Sequence, residues 1–327
     1  MDGQMTTRRK LTGIVSGRIK APPRILLYAP EGIGKTTFAN HAPNPVFLCR
    51  ESGTERFDKM DRLPEAPFWR DSPRREDGTA TDVLSQLEDL RVSDHDFQTI
   101  AVDTLDWLEP LVHRYVCDSD PKSKGSIVLA HGGFGKGYDV AINEWRAFLF
   151  GLDLLRKERG MTVILLAHSH VKKFENPEGE NFDRYQMKMS DKAAALMREW
   201  CDAVLFANTK TFAGGKITGG TTDDKKPKEF YAYGTQTRYI YTDRRPAFDA
   251  KNRFGLPEEM PLSWDDLAKA MNDSDMRAER LRAGIDDLLS GLTEKDRSDA
   301  IGALDRAKGD PDKLDTLLNW VKARLSK

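Results

Sequence analysis

Residues 29–36 read Ala-Pro-Glu-Gly-Ile-Gly-Lys-Thr, residue types and spacing suited to wrapping a chain of phosphates. The general pattern of such loops is G-x-x-x-x-G-K-[ST], and here Ala29 stands where the first glycine is usual. Gly32 and Gly34 let the backbone curl so that its N–H groups face phosphate oxygens, with Pro30, Glu31, Ile33 and Thr37 completing the cradle. Lys35 is expected to pair with the β- and γ-phosphates, and Thr36 to ligate Mg²⁺ through its hydroxyl. The motif needs a strand before it and a helix after it. The apolar run Arg24–Ala29 (RILLYA) and a helix from about Lys35 meet that need, and the helix N-terminus adds a dipole favourable to anions. The expected ligands are ATP and Mg²⁺, with hydrolysis of the nucleotide.

A magnesium site also needs a carboxylate. Asp103 ends the apolar run QTIAVD (98–103), where a neighbouring strand would bring it to the metal's water shell. Hydrolysis needs a group that orients water, and Glu51, just after the run PVFLC (45–49), is the first choice, with Glu55 as the alternative. His168 ends the strongest strand signal in the chain, MTVILLAH (161–168). It is placed to sense the γ-phosphate and report to the following loop; a histidine satisfied within the core is the plainer alternative.

These residues must be positioned by a sheet. Short apolar runs bounded by polar or glycine-rich segments mark strands at 24–29, 45–49, 98–103, 161–168 and 203–207. Helical spacing is expected over 81–90, through Leu105, Leu108, Leu111 and Val112, from 138 to about Arg159, and around 191–200. Strands alternating with helices predict a largely parallel α/β sheet, with the ligand at the carboxyl ends of the strands. Alternating stretches at 230–233 and 238–242 suggest a β-hairpin. Ser263 is a plausible N-cap for a helix beginning near Trp264, and from 275 onward the pattern is purely helical. The expected organisation is a flexible basic arm over 1–20, an ATPase core over 21–262 and a small C-terminal helical region over 263–327.

The net charge of −1 excludes a chain that binds nucleic acid through bulk positive charge, so any such binding must use local patches. Cys49, Cys117 and Cys201 form no C-x-x-C pair, which argues against a zinc site or disulfide framework. A reducing, cytoplasmic setting is expected. No apolar run reaches the ~18 residues of a membrane span, and the polar N-terminus does not read as a secretory signal.

The order of parts resembles the RecA-type P-loop core. Glu51 falls where that superfamily has its catalytic glutamate, IAVDTLDWL resembles its magnesium strand and following helix, and LLAHSH sits at its sensor strand. Lys251-Asn252-Arg253-Phe254-Gly255 (KNRFG) resembles the motif of bacterial RadA, and its Lys-x-Arg spacing resembles the trans-acting finger of DnaB-type ring helicases. That resemblance implies that Lys251 and Arg253 reach the γ-phosphate held by a neighbouring subunit, so that ATP sits at interfaces of a homo-oligomer. Over about residues 20–265 the chain is similar to phage-encoded RecA-core proteins of single-strand annealing, the RecA-like branch of the Sak group. The matching features are GRIKAPPRILLYAPEGIGKTTFA, GGFGKGY, the LLAH strand and AKNRFGLP. Ala29 departs from the stricter loop, and neither a zinc ribbon nor a protease-like domain is present, so full-length RadA is excluded. For a phage-encoded protein the compartment is the host cytoplasm.

In RecA-type proteins, loops after the third and fourth core strands hold single-stranded DNA; here these are 118–138 and 169–190. The first carries Phe134, Lys136 and Tyr138 among glycines, the second Lys172 and Lys173, diluted by Glu175, Glu178 and Glu180. Aromatic rings there would stack on bases, worth ~1–3 kcal/mol each. The lysines at 225, 226 and 228 read more readily as a solvated hairpin tip. The leucine-rich C-terminal helices suit either a cap on the ATPase or a module for a single-stranded DNA-binding protein. The resemblance thus implies a DNA-recombination ATPase. A ring helicase or its loader and an ATP-dependent protein-binding switch are the rivals, with a small-molecule kinase weaker.

Overall fold

The computed structural model describes residues 21–50, 52–216 and 229–325. The basic arm at 1–20, Glu51, and the lysines Lys225, Lys226 and Lys228 lie outside the described residues. The chain divides into two compact units, Ala21–Ser274 and a second containing Asp275–Lys327.

In the first unit the apolar run forms strand β1 (Arg24–Ala29), followed by α1 (Lys35–Asn40), β2 (Pro45–Cys49), a 3-10 turn (Ser52–Arg56) and β3 (Asp61–Arg62). Then come α2 (Val83–Val92), β4 (Thr99–Asp103), α3 (Leu105–Asp118), two further 3-10 turns and α4 (Lys136–Glu158). β5 (Thr162–Phe174), β6 (Phe182–Met187), α5 (Asp191–Trp200), β7 (Ala203–Lys216), β8 (Glu229–Tyr241), β9 (Lys251–Asn252) and β10 (Glu259–Pro261) complete the strands. Helix α6 (Trp264–Leu288) begins in this unit, and its later residues belong to the second unit with α7 (Glu294–Ala307) and α8 (Pro311–Leu325). Ser263 caps α6, its hydroxyl accepting from the Asp266 N–H at 3.3 Å.

The sheet order is β10-β8-β7-β1-β5-β4-β2-β3. Its centre is parallel, β1 lying between β5 and β7, and β4 between β5 and β2. Successive side chains of a strand face opposite ways, and both faces here are covered. Leu26, Val102 and Leu165 pack with Leu108, Trp145 and Met197 of α3, α4 and α5. Ile25, Leu27 and Leu166 pack with Phe38 of α1 and Trp264 of α6. Burial on both faces explains why the central strands read as unbroken apolar runs. The second unit holds its own small core of Ile285, Leu304, Leu314 and Val321.

Three expectations are adjusted. Helix α2 starts at Val83, two residues later than Thr81, because the Asp82 carboxylate caps it by accepting the Ser85 N–H at 2.8 Å. The stretches 230–233 and 238–242 are not two arms of a hairpin; the first, and the second as far as Tyr241, are parts of the single strand β8, antiparallel to β7. The segment after His168 is not an open loop: β5 continues to Phe174 and pairs with β6, the Phe174 and Phe182 rings meeting at 5.2 Å.

Candidate functional site

The phosphate loop leaves the carboxyl end of β1 and enters α1. Gly32 and Gly34 adopt φ values of +72° and +106°, conformations open to glycine and costly for residues with a Cβ. The Lys35 side chain is buried, its Nζ 3.2 Å from the Pro30 carbonyl that it curls back over. The Thr36 hydroxyl donates to Asp103 Oδ2 at 2.7 Å. Asp103 is almost wholly buried at the end of β4, whose backbone runs beside β5.

His168 joins them because Ala29 and His168 lie side by side in the β1–β5 register. Lys35, Thr36, Asp103 and His168, together with Thr37 and the two glycines, line one cavity of about 220 Å³. Thr54 and Phe57, from the segment after β2, close its side. Glu55, one residue from Thr54, is exposed and does not line the cavity.

Asp106, in the first turn of α3, was not singled out from the sequence. Its carboxylate accepts the His168 N–H at 2.9 Å and lies 2.8 Å from His168 Nδ1. One carboxylate therefore fixes both the backbone and the ring of the histidine. Burial would raise the Asp106 carboxyl, but the hydrogen bonds from His168 outweigh it and hold the group below the usual carboxylate range. No spacing in the sequence pairs residues 106 and 168; the only local signal is an acid at the start of a helix, which is common.

The donor set fits magnesium nucleotide. The loop turns at two glycines that have no Cβ to crowd a phosphate, and Thr36 and Asp103 are already in contact. Magnesium is usually held by one or two carboxylates plus substrate phosphates, not by a protein cage. Among the described residues no group of three or more His, Cys, Asp or Glu side chains forms such a cage. Thr36 and Asp103 would hold the ion, which would neutralise charge on the β- and γ-phosphates.

The remaining expected residues lie elsewhere. β9 pairs with the first residues of β7, and these lie beside the beginning of β1, not its phosphate-loop end. Lys251 and Arg253 are thus at the opposite end of the sheet from the phosphate loop of their own chain. Lys251 Nζ donates to the carbonyls of Arg198, Glu199 and Cys201 at 2.9, 2.9 and 2.6 Å, capping the end of α5. Burial, with Arg253 nearby, lowers its pKa. Arg253 is 56 % exposed and 3.5 Å from Asp202.

Phe134 is fully exposed, at a positive φ between glycines. Lys136 is exposed at the start of α4, and Tyr138 meets His113 of α3 edge-on at 5.4 Å. Lys172 and Lys173 are exposed on β5, Lys172 paired with Asp191 at 2.8 Å.

The sequence matches the family AAA_24, described as an AAA domain, over residues 21–254. No curated protein matches it. No helix among the described residues is long and apolar enough to cross a membrane. The match spans the loop after β1, the carboxylate on β4 and the histidine on β5, and the chain belongs to this AAA domain family of nucleotide-binding P-loop ATPases.

Proposed function

We propose that the protein hydrolyses ATP with Mg²⁺ to control its hold on single-stranded DNA, acting in recombination by strand annealing as a RecA-type protein. The observation that carries this reading is the position of α3. At one end Asp106 holds His168 in the phosphate cavity. Two turns on, His113 touches Tyr138, in the segment that carries the fully exposed Phe134. A change at the γ-phosphate therefore has a short, packed route to an aromatic, glycine-rich segment suited to stacking on bases. Lys35 binds the phosphates, Thr36 and Asp103 hold the metal, and His168 senses whether the γ-phosphate is present. Glu51 orients the attacking water in this scheme, and Lys251 and Arg253 act on a neighbouring subunit's nucleotide. Lys136, Lys172 and Lys173 supply charge to the DNA backbone.

The test is the ATPase rate with and without single-stranded DNA, at low and moderate salt. Severalfold stimulation that fades with salt is expected, because phosphate contacts weaken steeply as salt rises. Phe134→Ala should reduce the stimulation and leave the basal rate unchanged. Basal hydrolysis with neither stimulation nor DNA binding would overturn the DNA reading in favour of an ATP-dependent protein-binding switch. Directional unwinding of a forked duplex would instead identify a ring helicase.

A further inference from the structure

Arg238 lies on β8, one strand beyond β7, and the functional reading above leaves it unused. Three observations bring it to the phosphate loop. It pairs with Thr209, and the ladder then slips, Thr211 pairing with Gly234. One residue on β7, at 210, is matched by three on β8, 235–237, directly before Arg238; such bulges twist a strand and re-aim its side chains, often beside active sites. Its neighbour at the strand period of two, Ile240, packs in the cluster on the α1 face of the sheet, so Arg238 is on the face where the loop enters α1. Finally, a Cβ built on Gly34 would stand 2.9 Å from Arg238 Nη1. The guanidinium occupies the space that the loop glycine leaves open. Its backbone is anchored there by the Leu262 N–H, which donates to the Arg238 carbonyl at 3.0 Å.

Among the described residues the charge has no structural counterweight. Arg238 is exposed, and among the described residues no carboxylate lies within salt-bridge distance of it. A cation held against a phosphate loop and left unpaired is suited to an anionic ligand, and the planar fork of arginine suits phosphate oxygens.

The sheet order determines which part of the ligand it faces. Asp103 on β4 and His168 on β5 lie on one side of β1, so the γ-phosphate and metal end of the nucleotide is on that side. Arg238 approaches from the other side, across β7. A phosphate chain whose γ end lies on the Asp103 side of β1 leaves its nucleoside end toward β7. We propose that Arg238 binds the α-phosphate and nucleoside end of the nucleotide held by its own chain, setting affinity for ATP and ADP alike. It is distinct from Arg253, which faces away from this site. The inference rests on nucleotide binding at the phosphate loop and not on the DNA reading.

The test is titration of the full chain with fluorescent ADP and ATP analogues, without DNA, using Arg238→Gln and Arg238→Lys. Glutamine preserves much of the side-chain volume, and thermal melting of each variant reports whether the fold is kept. For Arg238→Gln the Kd for both nucleotides should rise roughly 10-fold or more, as for loss of a charged hydrogen bond. KM should rise in step with kcat changed little, and Arg238→Lys should fall between. An ADP affinity within about twofold of wild type, in a variant that melts normally, would overturn the proposal. So would a loss confined to ATP, which would place the guanidinium at the γ-phosphate. Wild-type protein that fails to bind either nucleotide would refute the phosphate-loop reading itself, a different outcome from a selective effect at Arg238.

Discussion

Asp106 makes two hydrogen bonds to one histidine across 62 residues of sequence, and its lowered pKa ties that contact to acid stability. A carboxyl that binds its proton more weakly when folded adds stability at pH values above its unfolded value of about 3.9. That contribution is lost as pH falls through the lower folded value. Asp106→Asn keeps the shape and removes the charge. At pH 7 it should cost about 1–3 kcal/mol, the usual cost of disturbing a buried, charge-assisted hydrogen bond. Urea unfolding at pH 7 and near pH 3 checks this: the gap between variant and wild type should narrow at the lower pH. Equal stability at pH 7 would mean that the contact contributes nothing. The variant should also hydrolyse ATP more slowly, because His168 would lose the group that orients it in the cavity.

Helix α3 turns such contacts into a mechanical element. Asp106, Glu109 and His113 are spaced i, i+3 and i+7, which places them along one face. The Glu109 carboxylate accepts the Ser190 N–H at 3.1 Å and its hydroxyl at 2.7 Å. Ser190 is the N-cap of α5 and makes no side-chain cap of its own, so Glu109 satisfies an end that would otherwise lack a partner. The same helix thus grips His168, the segment that follows the β5–β6 hairpin, and, through His113, Tyr138. Glu109→Ala should leave basal hydrolysis within about twofold while abolishing its stimulation by single-stranded DNA, if coupling runs through α3. Full stimulation in the variant would exclude this route. The central strands and the phosphate loop were legible in the sequence because their causes are local: continuous burial makes an apolar run, and tight turning demands glycine. The hairpin was not. Beyond His168, β5 leaves the core, so Val171, Lys172 and Lys173 carry no burial pattern, and pairing rests on backbone bonds that any sequence can make. Asp106 and Arg238 were invisible for a related reason. Each acts on a residue brought near by sheet order, and their own neighbours in sequence record nothing of it.

At the scale of the molecule, the main consequence is that the chain carries its phosphate loop and its Lys-x-Arg motif at opposite ends of one sheet. Lys251 is held by three carbonyls at the end of α5. Asp202 is engaged chiefly by Arg24, at 2.8 Å, and touches Arg253 only at 3.5 Å. Arg253 is thereby presented outward on a firm base, where it cannot reach the nucleotide of its own chain. If it serves catalysis, it serves a neighbour, and the contact between subunits must be head-to-tail. This predicts complementation. Lys35→Ala, unable to hold phosphate, and Arg253→Ala, unable to reach the next subunit, should each be nearly inactive. In an equimolar mixture, random assembly pairs an intact loop from one variant with an intact arginine from the other at about a quarter of the interfaces, so about a quarter of wild-type activity should return. Recovery should fall on dilution as the assembly dissociates. A mixture no more active than its components, or an Arg253→Ala protein with full activity as a monomer, would show that each chain completes its own site and that the outward arginine has another use.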